Sequence, residues 1–427
     1  DVLTDRNLAR RPGVDRAVPR FVVVAVVAAL AWAGGASGAT LGEQRILLML
    51  TTWGPEPYAP AQIRGQLDEA AAFVRSTSYG KTWLTGEVTP WLHALPSRPG
   101  CDTAGISAAT QAAAQAAGYD LSRYTTLGIA MPHVPACLWG GAYFPPGIGL
   151  NGRRDRQAIV HELGHTYGVA EEGSAWVCDP RCHVEPYASP FSVMGHGLGD
   201  YSAWEKSTFG WLERIAEPRG SLTLGAIDRG TSHPQALRVL VAGDEYWFEY
   251  RPPAPAWPYA GDGAPGVAVY GGSHGLGGPS RFGSRNVLLS DPVGRGRPSV
   301  RAGETFSVRG AFALRVASTG ADAAAVTFRW TDRTRPGWPR ILAARARGRR
   351  LAVRWRRGAE RGSGLAAHEV FVDGRRAGRV AAAGSSAGLL VATDDRLTVR
   401  VRPGRHWVAV VAVDRAGNRS RPAVRRL

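Results

Sequence analysis

Lysine is nearly missing from this chain: of its 52 basic residues, all but Lys81 and Lys206 are arginine. Either cation serves a solvated surface. The skew therefore reads as the imprint of a GC-rich genome, and arginine abundance by itself is not evidence of function. Cysteine is scarce too, at four in 427 residues, which excludes a small scaffold held mainly by disulfides. Long apolar runs are absent after residue 32, which excludes a polytopic membrane protein. There is no internal repeat and no heptad pattern, so solenoids and coiled coils are excluded as well. What remains is an ordinary globular composition, 44% hydrophobic and 20% charged, long enough for two or three domains.

The net charge of +17 suggests nucleic-acid binding until it is divided along the chain. Residues 1–40 carry 5 Arg and 3 acids; residues 41–330 carry 24 Lys+Arg and 25 acids; residues 331–427 carry 23 Arg and 7 acids. The excess of 16 positive charges thus belongs to the last segment, and the centre is close to neutral. No basic motif interleaved with aromatics accompanies it, so no nucleic-acid partner is expected.

At the start, Arg10, Arg11, Arg16 and Arg20 precede an apolar run from Phe21 to Trp32, followed by the small residues AGGASGA. This predicts a signal peptide over 1–39 and a secreted body. If the segment is not cleaved, it predicts a membrane tether instead. In an exported chain, Cys101, Cys137, Cys178 and Cys182 imply two disulfides with three possible connectivities. Cys101–Cys137 with Cys178–Cys182 is the favoured pairing.

Strand-like and helix-like segments alternate from QRILLMLTTW (44–53) to the helix at 154–168, which predicts an α/β layer structure. Beyond about residue 214, short β-rich runs separated by Gly/Pro loops predict an all-β region to 330. Residues 331–340 read as a linker, and 341–427 as a small β-sandwich with Trp355 as a core aromatic.

The chemistry concentrates at HELGHTYGVAEEG, residues 161–173. On a helix, His161 and His165 share a face and can reach one cation. Glu162, beside the first of them, can act as the base for a water activated by zinc. Scattered polar residues on a surface helix would give the same letters without function. Gly168 permits a sharp turn after the second histidine, and Met194 follows in the turn-like SPFSVMGHG (189–197). Together they give the layout of a metzincin.

At these residues the chain resembles a secreted zinc metalloprotease of the gametolysin type. The likeness is carried by TSYGKTWLTGEV (77–88), GYDLSRYTTLGIAMP (118–132), CLWGGAYF (137–144), HELGHTYGV (161–169), SPFSVMG (189–195), YSAWEKSTFGWL (201–212) and YWFEYR (246–251). It implies an α/β metzincin-like catalytic domain over 40–213, then a β-rich domain over 214–330. After the 331–340 linker, RHWVAVVAVDRAGNRSRP (405–422) resembles the last strands of a fibronectin type III domain. The resemblance further implies zinc bound by His161 and His165, Glu162 as general base and Met194 as the floor of the site. It also implies an edge strand, Trp139, Gly140, Gly141, Ala142 and Tyr143, that pairs with extended substrate. A covered edge ending in a Pro-rich loop is the plainer reading of that segment.

The family's third histidine is replaced here by Glu171, a competent zinc ligand and the expected one. Glu172, His183, Glu185 and His196 are the rivals. His196, two residues after Met194, either stabilises an oxyanion, as a tyrosine does at that place in some metzincins, or is a solvated loop residue. The expected function is a secreted, monomeric zinc endopeptidase acting on proteins or peptides, whose basic tail has an acidic cell-wall polymer or surface as partner. The rival is a binding protein built on an impaired protease domain.

Overall fold

The computed structural model describes residues 39–97, 100–144, 147–178, 181–241, 244–259, 264–273, 286–289, 298–360, 362–382 and 394–427. The expected signal peptide, apart from Ala39, lies outside them. No helix among the described residues is long and apolar enough to cross a membrane.

The first layer is built from β1 (Gly42–Thr51), α1 (Pro60–Thr77), β2 (Thr82–Leu92), α2 (Thr103–Ala116), β3 (Thr126–Met131), β4 (Gly141–Phe144), β5 (Gly147–Asn151) and α3 (Arg156–Thr166). Its sheet order is β2-β1-β3-β5-β4; all neighbours are parallel except the β4–β5 pair. The apolar run Ile46–Leu50 is buried on both sides because successive residues point to opposite faces. Ile46, Leu48 and Leu50 pack with Ile63, Leu67 and Phe73 of α1 and with Ile159 and Leu163 of α3. Leu47 and Met49 pack with Ile106 and Ala114 of α2 on the other face. The disulfide Cys101–Cys137 ties the start of α2 to the loop after β3, as the favoured pairing expects.

The chain then forms β6 (Ser174–Cys178), β7 (Cys182–Glu185), α4 (Ala203–Thr208), β8 (Ile215–Ala216), β9 (Gly220–Gly225), β10 (Ala236–Val241), β11 (Asp244–Arg251), β12 (Gly266–Ser273), β13 (Val287–Leu288), β14 (Thr305–Val308), β15 (Phe312–Thr319) and β16 (Ala323–Trp330). A seven-stranded sheet, β7-β6-β13-β12-β11-β10-β8, faces a four-stranded one, β14-β15-β16-β9. Phe248, Phe306, Phe312 and Phe328 lie in the core between them. The β6–β7 hairpin, closed by Cys178–Cys182, joins the larger sheet by pairing with β13. The expected boundary at 213/214 is therefore crossed by main-chain hydrogen bonds.

The last unit has β17 (Arg340–Arg347), β18 (Arg350–Arg356), β19 (Leu365–Val372), β20 (Arg375–Ala381), β21 (Asp394–Arg400), β22 (Trp407–Asp414) and β23 (Ala423–Arg426). Sheets β17-β18-β21 and β20-β19-β22-β23 enclose a core around the fully buried Trp355. The expected linker is not loose: Thr331 N donates to Ala311 O at 2.8 Å, and Asp332 Oδ2 accepts from Ser363 N at 2.7 Å.

The fold class requires a correction. An α/β metzincin-like catalytic domain followed by an all-β region and a β-sandwich is expected, but the chain is 43% strand and 15% helix, distributed over several sheets as in an all-β fold, and the α/β catalytic domain is not supported. The strand–helix alternation over 44–168 is local to the first sheet and does not set the character of the chain. Of the four α-helices among the described residues, α4 is one short piece, and every sheet after the first is built without an intervening long helix.

Trp355 is the test of the last core. Its truncation to Ala leaves a large cavity, so Trp355→Ala should destabilise the sandwich by about 3–5 kcal/mol. The readout is a lower denaturant midpoint for the transition that exposes it, followed by circular dichroism.

Candidate metal centre

Asp155 starts α3 by capping it: its carboxylate accepts from Ala158 N at 3.0 Å and is itself held by Arg153 at 2.7 Å. Gly168, at φ 110°, ends the helix with a turn that an L side chain disfavours. The turn carries Val169 back so that its carbonyl lies 2.7 Å from His165 Nδ1. His161 Nδ1 is likewise 2.9 Å from the carbonyl of Val193. A carbonyl only accepts, so each histidine carries its proton on Nδ1 and turns an Nε2 lone pair into the site.

Opposite these nitrogens lies Glu172. Its Oε2 is 3.2 Å from His161 Nε2, and its Oε1 is 3.6 Å from His165 Nε2. The three side chains form a group whose ligand atoms lie within 4.8 Å of one another. Glu172 Oε2 is buried and, while His161 Nε2 is unprotonated, has no donor. Two acceptors 3.2 Å apart need a positive charge between them. On the metal-free chain that charge is a proton, and the His161 pKa is correspondingly raised: burial opposes the shift, but Glu172, Glu162 and the Val193 carbonyl outweigh it. Burial likewise pushes the Glu172 carboxyl up, and His161, His165 and Tyr187 together hold it below its ordinary value. One proton cannot satisfy both imidazole lone pairs and Glu172 Oε2. A zinc ion can, and two histidines with a carboxylate are a known donor set for it.

Glu171, expected as the third ligand, is therefore displaced from that place by its neighbour. The family count fixes a position in sequence, but adjacent residues of an extended chain face opposite ways. The register here is set one residue on: Gly173 N donates to Met194 O at 2.8 Å, and Gly173 O accepts from Ser189 N at 3.0 Å. A Cβ on Gly173 would come within 2.6 Å of Gly195 N, so glycine permits this close approach. His196 is exposed and bonds to Tyr187 O; His183 is exposed and pairs with Glu185 at 3.1 Å. None of these three belongs to the group.

Glu162 is 4% exposed. Burial raises its carboxyl to about 7; His161 and Arg153 oppose the shift and Glu172 adds to it. The edge strand β4 runs beside it, so close that a Cβ on Gly141 would overlap Glu162 Oε1. Among the described residues β4 pairs only with β5, which leaves its outer edge open. Tyr143 is 37% exposed, with its ring 6.4 Å from that of His165. Met194 is fully buried beneath α3, where a Cβ on Gly164 would overlap its sulfur.

Three supporting residues carry no sequence signature. Tyr187 donates from its hydroxyl to Glu172 Oε1 at 3.0 Å and stacks on His161, with centroids 6.0 Å apart. Asn151 clips the approach to β4, bonding Val134 N at 2.7 Å and the carbonyl of Trp139 at 2.9 Å. Glu205 accepts from Ser192 Oγ at 2.8 Å, which in turn accepts from Met194 N at 3.0 Å. A second acidic group, Asp332, Glu360 and Asp414, lies in the C-terminal unit. Its carboxylates already accept from Thr334 N, Ser363 N, Gly362 N and Asn418 N.

No family model matches this chain, and no curated protein matches it. Among solved structures, a spore cortex lytic enzyme of Clostridium perfringens is 16% identical, at TM-score 0.18, over 29% of this chain and 37% of that one. Fibronectin(III)-like modules of Clostridium thermocellum CbhA are 13% identical at TM-score 0.19, over 50% of this chain and 88% of that one. The Endo-D glycoside hydrolase domain of Streptococcus pneumoniae is 11% identical at 0.19, over 50% and 29%. Likenesses this low identify neither a fold nor an activity.

Zinc per chain separates the two glutamates. Glu172→Ala should lower occupancy strongly, and Glu171→Ala should leave it near the unmutated value, by elemental analysis of folded protein. Because His161 holds its proton to a higher pH than an ordinary histidine, zinc affinity should weaken as pH falls through the imidazole range and recover above it.

Proposed function

We propose that this protein is a secreted zinc-dependent endopeptidase of the gametolysin type that its segments resemble. The observation carrying the proposal is the convergence of His161 Nε2, His165 Nε2 and the Glu172 carboxylate beside a buried Glu162. Zinc, when held there, supplies Lewis acidity and makes water nucleophilic near neutral pH.

The remaining work falls to the chain's own groups. An extended peptide adds to the free edge of β4 through main-chain hydrogen bonds, which aligns a scissile carbonyl across the face of α3. Gly141 lets that strand lie against Glu162 without a side chain between them. Glu162 takes a proton from the attacking water at a carboxylate oxygen as the C–O bond forms. It then returns the proton to the departing amine nitrogen as the C–N bond breaks. Its carboxyl near 7 suits both roles at neutral pH. Tyr187 holds Glu172 in place by its hydroxyl, and Met194 fills the space beneath Gly164 so that water cannot enter from below.

Glu162→Gln tests this directly. The variant should keep its zinc and lose casein cleavage by about 10²–10⁴-fold, the usual share of a general base. Retained turnover removes Glu162 from the role. Full zinc with no cleavage by the unmutated chain would favour the binding-protein alternative.

A further inference from the structure

We propose that the groove beside Trp338 is a binding subsite for an acidic sugar unit of a polysaccharide, an inference independent of the peptidase reading. The groove has a volume of about 480 Å3 and is lined by Arg335, Pro336, Gly337, Trp338, Ala359 and Arg421. That falls in the range of about 300–1,000 Å3 usual for small-ligand sites, and the groove is open to solvent, as a polymer requires.

Trp338 is 62% exposed, an unusual position for so large an apolar surface on a chain that buries Trp211 and Trp355 completely. Its backbone is fixed. Pro336 and Pro339 on either side are buried, and Gly337 N donates to Ala359 O at 2.8 Å. Gly358 admits this approach, since a Cβ there would collide with the Gly337 carbonyl and come within 2.7 Å of the Trp338 carbonyl. An indole presented on a fixed backbone loses little freedom when it binds.

Arg335 and Arg421 flank the indole, both exposed and without an ion-pair partner among the described residues. Some arginines of this unit are engaged, such as Arg357 with Asp395 at 2.9 Å and Arg376 and Arg419 with Glu369, whereas those at the groove are not. Asp332, Glu360 and Asp414 accept backbone N–H groups. The groove is thus lined by two uncommitted guanidinium forks and no carboxylate. A pyranose ring offers an apolar C–H face to stack on indole, and a uronate carboxylate matches a guanidinium in two-point geometry. Nucleic acid fits less well, because successive bases need successive aromatic platforms and the groove is lined by one.

The test is binding of the full chain to polygalacturonate by calorimetry, with neutral dextran, poly-L-glutamate and single-stranded DNA as comparisons. Unmutated protein should bind polygalacturonate best and dextran not at all. Trp338→Ala should weaken that binding about tenfold or more, and Trp338→Tyr should largely restore it. Arg335→Gln with Arg421→Gln should weaken it comparably and flatten its salt dependence. Unchanged melting temperatures keep the comparison one of binding, since all three side chains are exposed. The proposal is overturned if polygalacturonate does not bind, if Trp338→Ala binds it as the unmutated chain does, or if poly-L-glutamate or single-stranded DNA binds as tightly with the same loss on mutation.

Discussion

Two main-chain carbonyls, those of Val169 and Val193, decide which nitrogen of each helix histidine faces the site. Every other feature of the centre follows from that choice. With both Nδ1 atoms committed, two lone pairs and a carboxylate converge on one point, and only positive charge relieves their repulsion. Each carbonyl is delivered by a separate device. Gly168 returns the chain to His165, and the turn around Met194 presents Val193 to His161. Gly168 and the turn around Met194 thus act on the chain itself, by fixing the tautomer of each histidine.

The Met194 turn is in turn held from the β-rich part of the molecule. Ser192 bridges Met194 N to Glu205, and Asn286, just before β13, donates to the same carboxylate while its carbonyl accepts from Ser174 N at 3.0 Å. Nearby, Lys206 and Asp200 form a fully buried pair at 2.5 Å, and Arg251 lies against Glu249. Such pairs are weak sources of net stability, yet removing one partner strands a buried charge at a cost of about 3–5 kcal/mol. The same buried groups reach across to the start of α4: Glu249 accepts from Ala203 N and Arg251 donates to the Tyr201 carbonyl at 3.3 Å, which holds α4 against β11.

Much of this was legible in the sequence. The shared face of His161 and His165 follows from helical periodicity, Gly168 from the turn it permits, Glu162 and Met194 from the resemblance to the metzincin pattern, and both disulfides from the favoured pairing. Trp355 lies in the core where expected. Choosing between Glu171 and Glu172 required the register of 172–174 against the Met194 turn, which depends on contacts with residues far along the chain. Tyr187, Asn151 and Glu205 act through single long-range hydrogen bonds and leave no pattern in their neighbourhoods. The α/β metzincin-like catalytic domain is the part of the fold reading that needs correcting: strand–helix alternation is local to the first part of the chain, and sheets built without long helices make up most of the rest.

The most direct test of the metal centre is zinc-edge X-ray absorption on the purified full-length chain at neutral pH. The proposed zinc site predicts two imidazole nitrogens and one carboxylate oxygen at about 2.0–2.2 Å, with the carboxylate contribution lost in Glu172→Ala. A spectrum fitted by three imidazoles would place His183 or His196 at the ion. That result, or zinc bound identically without Glu172, would contradict the account.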